Sequence, residues 1–358
     1  MPESVIEPIK ATLLSGYIGQ GPKVDEFEKA LVPWVGHPNV LTLNSGTSAL
    51  YLALKLAGVG PGDEVVSTPM TCLASNTPIV DHKARIVWAD IDPWTGNIDP
   101  LDVERKITPS TKAVIAVHWG GYPCELDELL RVTRKYGIPL IEDAAHAFGA
   151  KYKGRLIGSV SPLSCFSFQA IKHLATIDGG ALVVGSNNDY RRGKLLRWYG
   201  IDRETPRRDL RCESDVIEAG GKLHMNDVNA TVGLEQLKYV ESVLNAHRGN
   251  AAFYDIALEG LRRVKKLRYQ PDRVGSYWLY TIRVDDQDGF YDFMAKRGVM
   301  VSKVHVRNDI HTCFKEFRRN LPGVDEFSSR EMSIPVGWWV TNVDREMVMQ
   351  AIREWDAS

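Results

Sequence analysis

A chain of 358 residues is long enough to bury a large core and to divide into one big and one smaller domain. Its 44% apolar and 25% charged residues are those of an ordinary globular protein, and 44 basic against 45 acidic residues leave a net charge of −1. That balance excludes an overall field favouring nucleic acid or an anionic membrane, so any anion site must be local.

The opening stretch, MPESVIEPIKATLLSG, carries charges among its apolar positions and lacks the apolar centre of a signal peptide. No apolar run approaches the roughly 20 residues of a membrane span. Five scattered cysteines, Cys72, Cys124, Cys165, Cys212 and Cys313, form no CxxC pair and suit reduced thiols in a cytoplasmic enzyme.

Short β-rich runs then alternate with helical patterns. DEVVST, ARIVWADI, KAVIAVHW, PLIEDAA, SCFSF and GALVVG read as buried strands, which predicts an α/β domain with a mostly parallel sheet covered on both faces. SALYLALKLAG is apolar nearly all round, as a helix buried on several sides would be, and CELDELLRVTRKYG is amphipathic and ends at Gly137. The polar, basic stretch 203–215 reads as a mobile loop, and NDVNATVGLEQLKYVESVLNAHR as the helix that bridges to a second unit. Beyond residue 250, strands are expected in YWLYTIRV and MVSKVHV and helices in GFYDFMAKRG and DREMVMQAIREW. This divides the chain into a large domain, 1–245, and a smaller α+β domain, 246–358.

Three places carry chemistry. In LNSGTSAL, Ser45, Gly46, Thr47 and Ser48 precede the buried helix, where unpaired N–H groups and the positive dipole end suit a phosphate; an ordinary Ser or Thr cap is the plainer alternative. In IEDAAHAFGA, a strand delivers Glu142 and Asp143 at its carboxyl end, where open α/β sheets bind ligands. A helical turn starting there puts His146 on the same face as Asp143, although each is individually as well explained by capping or by a core histidine. In CFSFQAIKHLATIDGG, Lys172 stands in an apolar stretch, where it either snorkels to the surface or is held away from water with a weakened preference for the ammonium form. Pyridoxal phosphate needs such an amine, an acidic partner for its pyridinium nitrogen and an anion pocket, and Lys172, Asp143 and the 45–48 turn with Ser167 offer all three.

Competing motifs are poor. GYIGQG reverses the glycine spacing of a dinucleotide site, GxxxxGK[ST] and HExxH are absent, and His305 and His311 fit no common helical metal pair. The basic run RRDLR lacks the interleaved aromatics of a nucleic-acid surface.

Taken in order, SGYIGQGPKVDEFEKAL, NSGTSALYLAL, GVGPGDEVV, ADIDPWTGNIDP, IEDAAHAFGA, SFQAIKHLATIDGG and GLEQL resemble the DegT-type nucleotide-sugar aminotransferases, pyridoxal phosphate enzymes of fold type I. The resemblance implies that Lys172 bonds the cofactor aldehyde, Asp143 partners the ring nitrogen, His146 contacts the ring hydroxyl, and Gly46, Thr47 and Ser167 hold the phosphate. It implies a homodimer with shared active sites, and glutamate as amino donor to a nucleotide-linked keto-deoxy-sugar.

Two positions depart from the family pattern. Cys72 stands in TPMTCLASN where many relatives stack an aromatic on the ring, and Lys222 in GGKLHM replaces an asparagine that reaches the neighbouring subunit's phosphate. Lys222 either serves that phosphate or is an exposed cation. His311 matches a histidine near the substrate in many relatives. A related branch of dehydratases replaces the lysine by histidine; here the lysine is present and His173 follows it, which favours transamination. A sugar dehydratase and a non-catalytic cofactor-binding regulator are the alternatives.

Overall fold

The computed structural model describes residues 1–358 except 207, 210–212 and 214, so the loop expected over 203–215, with Cys212 and much of RRDLR, lies partly outside the described residues. Nine strands precede residue 185: β1 (Val40–Leu43), β2 (Glu64–Ser67), β3 (Arg85–Trp88), β4 (Thr111–Val117), β5 (Leu140–Asp143), β6 (Lys151–Tyr152), β7 (Arg155–Leu156), β8 (Leu163–Ser167) and β9 (Gly180–Val184). Seven of them form a sheet in the order β1-β9-β8-β5-β4-β2-β3. Strands β3, β2, β4, β5 and β8 pair in parallel, and β9 runs antiparallel to both β8 and β1. The expected mostly parallel sheet is present, and all six runs read as strands lie in it.

Successive residues of a strand point to opposite faces, and the cores show it. Val114 and Ala116 of β4 join one buried cluster, with Phe27, Leu31, Leu129 and Phe168. Ala113 and Ile115 join the other, with Leu50, Leu54 and Trp88. With both faces covered, nearly continuous apolar runs are the stable sequence for these strands.

The helix Gly46–Leu56 buries Ala49, Leu50, Leu52, Ala53, Leu54 and Leu56, as its all-round apolar sequence requires. The helix Leu126–Lys135 is followed by Gly137 in the left-handed region, φ 66°, where a side chain would be strained. The expected bridging helix is two helices, Asp227–Leu237 and Val240–Ala257, parted at Tyr239 (φ −112°, ψ −10°).

The second half adds β10 (Val264–Lys266), β11 (Arg273–Val274), β12 (Tyr280–Val284) and β13 (Glu331–Ile334); β10-β12-β13 form an antiparallel sheet. The helices Gln287–Ala295 and Asn342–Ala357 pack on it through Phe290, Met294, Met349 and Ile352. The strand expected in MVSKVHV is not formed: Ser302 makes one isolated bridge to Ser333, and Val304 is left-handed, φ 61°, a conformation that ends an extended strand. Among the described residues no helix is long and apolar enough to cross a membrane.

Candidate active site

Strands β4, β5 and β8 bring their carboxyl ends together, with Val117 opposite Asp143 and Asp143 opposite Cys165. A cavity of about 240 Å³ opens there, lined among others by Gly46, Thr47, Cys72, Asp143, His146, Ser167 and Lys172. Three motifs spread over residues 45–172 thus meet at one point.

Ser45 caps the helix Gly46–Leu56, its side chain accepting the N–H of Ser48 at 3.0 Å. Gly46 lets this helix end press against β8, since a Cβ there would lie 2.9 Å from the Cβ of Ser167. The helix terminus and the Ser167 hydroxyl therefore share one wall of the cavity. Such a terminus, with its free N–H groups, suits a phosphate.

Asp143 is buried at the end of β5. One carboxylate oxygen accepts the Ser75 hydroxyl at 2.6 Å and the other accepts the Ala145 N–H at 3.1 Å. Ser75 in turn bonds Thr71 at 2.7 Å. Behind the strand, Cys124 donates its N–H to Nδ1 of His118, which leaves Nε2 to donate to Glu142 at 2.8 Å, while Ser164 donates to the other Glu142 oxygen at 2.8 Å. This buried group anchors the strand at the residue before Asp143.

Residues 144–149 form tight turns, Ala147 N–H bonding Ala144 C=O at 2.9 Å, instead of the helical turn expected after Asp143. His146 still reaches the cavity. Its ring stacks on Trp278 with centroids 3.9 Å apart, and its Nδ1 is buried without a partner. Burial first, then the charge of Lys172, holds His146 well below the ordinary histidine range.

Lys172 follows β8 in a turn closed by its N–H to the Gln169 carbonyl at 2.9 Å. Its Nζ lies 3.4 Å from the centre of a Trp278 ring. Burial lowers its pKa to about 8, against the opposing pull of Asp143 and Cys72. A primary amine tuned to that range is both a usable nucleophile and a proton carrier.

The remaining expected residues lie elsewhere. Lys222 is exposed, bridged through its backbone to Trp198, with its carbonyl accepting from Asn44 at 3.3 Å, and it does not line this cavity. His311 sits between the short turns Asn308–Ile310 and Thr312–Phe317 and does not line it either. His305 is the histidine beside the site, its ring parallel to that of His146 within 6° at 5.5 Å and its pKa lowered to about 4, chiefly by burial and then by Lys172. Ser75 and Trp278 escaped sequence reading because no local motif marks them, whereas His305 was read from the sequence as a structural or substrate-facing histidine.

The donor set fits pyridoxal phosphate: an amine with lowered pKa, a buried carboxylate anchored through both oxygens, a buried unpartnered His146 nitrogen, and a helix terminus made approachable by Gly46. Fold and site together define a fold type I pyridoxal phosphate enzyme. Across residues 1–353 the chain matches the DegT/DnrJ/EryC1/StrS aminotransferase family, and it belongs to that family.

Among solved structures it is similar to AtS13 from Actinomadura melliaura, with 44% identity, a TM-score of 0.95, and coverage of 98% of this chain and 96% of that one. It is similar to the sugar aminotransferase CalS13 from Micromonospora echinospora, with 38% identity, a TM-score of 0.95, and coverage of 99% and 97%. A third relative is the spore coat polysaccharide biosynthesis protein SpsC of Bacillus subtilis, 32% identical over 363 residues, with coverage of 98% of this chain and 93% of SpsC. The chain is a pyridoxal phosphate-dependent sugar aminotransferase.

Proposed function

We propose that this enzyme moves an amino group from an amino acid, glutamate, to the ketone of a nucleotide-linked keto-deoxy-sugar. The product would be an amino sugar for a surface polysaccharide or a glycosylated metabolite, and the relative SpsC supports the polysaccharide reading. The observation that carries the proposal is Lys172, a primary amine brought to a pKa of about 8 by burial, in one cavity with Asp143 and the Gly46 helix end.

Bound pyridoxal phosphate supplies an electron sink for the carbon that gains or loses a proton. Gly46, Thr47 and Ser167 would hold its phosphate, Asp143 its ring nitrogen and His146 its ring hydroxyl. Asp143 would keep a proton on that nitrogen, and Ser75 and Ala145 fix the carboxylate in place. Lys172 Nζ takes the proton from the amine-bearing carbon of the donor and returns one to the acceptor, which its near-neutral pKa allows in both directions. Cys72, on the cavity wall, replaces the stacking aromatic with a smaller thiol.

The same reading makes the protein a cytoplasmic homodimer, with Lys222 reaching the neighbouring subunit's phosphate and His311 close to the sugar. The exposed apolar side chains of Leu13, Leu14, Tyr17 and Ile18 give the dimer a surface to bury. A large unit, 1–245, and a small one, 246–358, would flank the cleft.

The test is amine transfer from 15N-glutamate to a panel of keto-sugar nucleotides. The proposal expects the label in the sugar product. Release of labelled ammonia with a deoxygenated sugar would show a dehydratase, and a bound chromophore with no reaction toward any donor would show a regulator.

A further inference from the structure

Lys172 has an unusual neighbour. Its Nζ lies 3.4 Å from the centre of a Trp278 ring, and no hydrogen bond or ion pair to that nitrogen exists among the described residues. The indole is fixed to the same short segment, because Trp278 Nε1 donates to the carbonyl of Ile171, the residue before Lys172, at 2.8 Å. His146 stacks on the indole at 3.9 Å and 20°, and the His305 ring lies 6.1 Å from it at 21°. The indole is therefore packed against His146 and tied to the backbone that carries the lysine.

We propose that Trp278 is a positioning residue for the reaction: its indole face docks the side chain of Lys172 whenever that amine is not bonded to the cofactor. The proposal rests on Lys172 being the reactive amine. Each half of the transfer frees Lys172, which must then accept a proton, keep it and hand it back. A flexible four-carbon side chain released in a cleft would otherwise reach solvent. An aromatic face attracts an ammonium electrostatically and most strongly where water is thin.

The groups around the amine make the ring's part readable. Burial favours the neutral form, Asp143 and Cys72 favour the charged one, and the adjacent His146, His173 and His305 are all held below the ordinary histidine range by burial. None of these histidines adds a charge near neutral pH. Removing the ring should then drop the Lys172 pKa below its present value of about 8.

The test measures Lys172 acylation against pH in the full-length protein, without cofactor and with pyridoxamine phosphate, by peptide mass spectrometry. Trp278→Leu should lower the midpoint by about one pH unit, and Trp278→Phe, which keeps a weaker face and serves if the leucine variant does not fold, by less. The indole fluorescence of the wild type should show a titration step near the same midpoint that is lost in Lys172→Met. An unshifted midpoint in Trp278→Leu, or no lysine-dependent step, overturns the proposal. Borohydride reduction of the same variants loaded with pyridoxal phosphate separates the two readings. A tagged Lys172 with an unshifted midpoint removes only the docking role, whereas an untagged wild-type Lys172 removes the reading beneath it.

Discussion

Asp143 is held by the Ser75 hydroxyl on one oxygen and the Ala145 N–H on the other, so its carboxylate is aimed before any cofactor arrives. Ser75→Ala removes a charge-assisted bond, which should cost kcat about tenfold while cofactor stays bound, as steady-state kinetics and the bound chromophore will show. Asp143→Asn should retain the cofactor and lose most turnover; normal turnover would remove the role given to Asp143. Asp143, His146 and Lys172 were legible in the sequence because each stands beside a strand run that ends at the site. Ser75 and Trp278 were not: one lies inside the helix Leu73–Asp81, the other 106 positions beyond Lys172 just before β12, and only folding brings them to the amine and the carboxylate. The His305 ring, read from the sequence as structural or substrate-facing, lies 5.5 Å from that of His146.

At the scale of elements, the segment 302–311 is the chief departure from expectation. Residues 300–306, MVSKVHV, read as a strand through their valines, but the left-handed Val304 breaks the extended run and the segment folds toward His146 instead. Asn308 pins it there. This fully buried side chain accepts from Asn76 at 2.8 Å and donates to the Thr71 carbonyl at 2.8 Å, and its backbone N–H bonds Pro69 at 2.8 Å. Asn308→Ala leaves buried polar partners without their bonds, so unfolding in urea should show a loss of about 2–3 kcal/mol. A loss under about 0.5 kcal/mol would mean that the clamp is slack. Strands β2, β4, β5 and β8 were legible because apolar runs and parallel burial coincide in them, whereas the break at Tyr239 falls inside an unbroken helical pattern.

Across the whole molecule, the C-terminal part serves two cores. Residues from Ala251 to Trp355 build a cluster of their own, while Phe314, Phe317, Leu321, Val324 and Phe327 join the cluster under one face of the central sheet. The proposed boundary at 245 falls within the continuous helix Val240–Ala257, whose periodicity hides any domain edge from the sequence. Lys172 links the site to global stability. Its pKa is about 8 in the fold and 10.5 when unperturbed, so between these values the unfolded chain binds more protons, and stability rises with pH. In the cofactor-free protein that rise should be absent from Lys172→Met, as denaturant unfolding at pH 8 and pH 10 will read.

If the active sites are shared, mixing inactive Lys172→Ala with Lys222→Ala should restore about a quarter of the wild-type activity, because half of the dimers then carry one intact site. No recovery between two inactive variants would place Lys222 in its own subunit's site, and a fully active Lys222→Ala would leave it an exposed cation. The most direct measurement of the central claim is the mass of the Lys172 peptide after the protein is loaded with pyridoxal phosphate, reduced with borohydride and digested. The account predicts the cofactor's mass on Lys172 and its loss in Lys172→Ala. The same mass found on another lysine, with Lys172 unmodified, would contradict it.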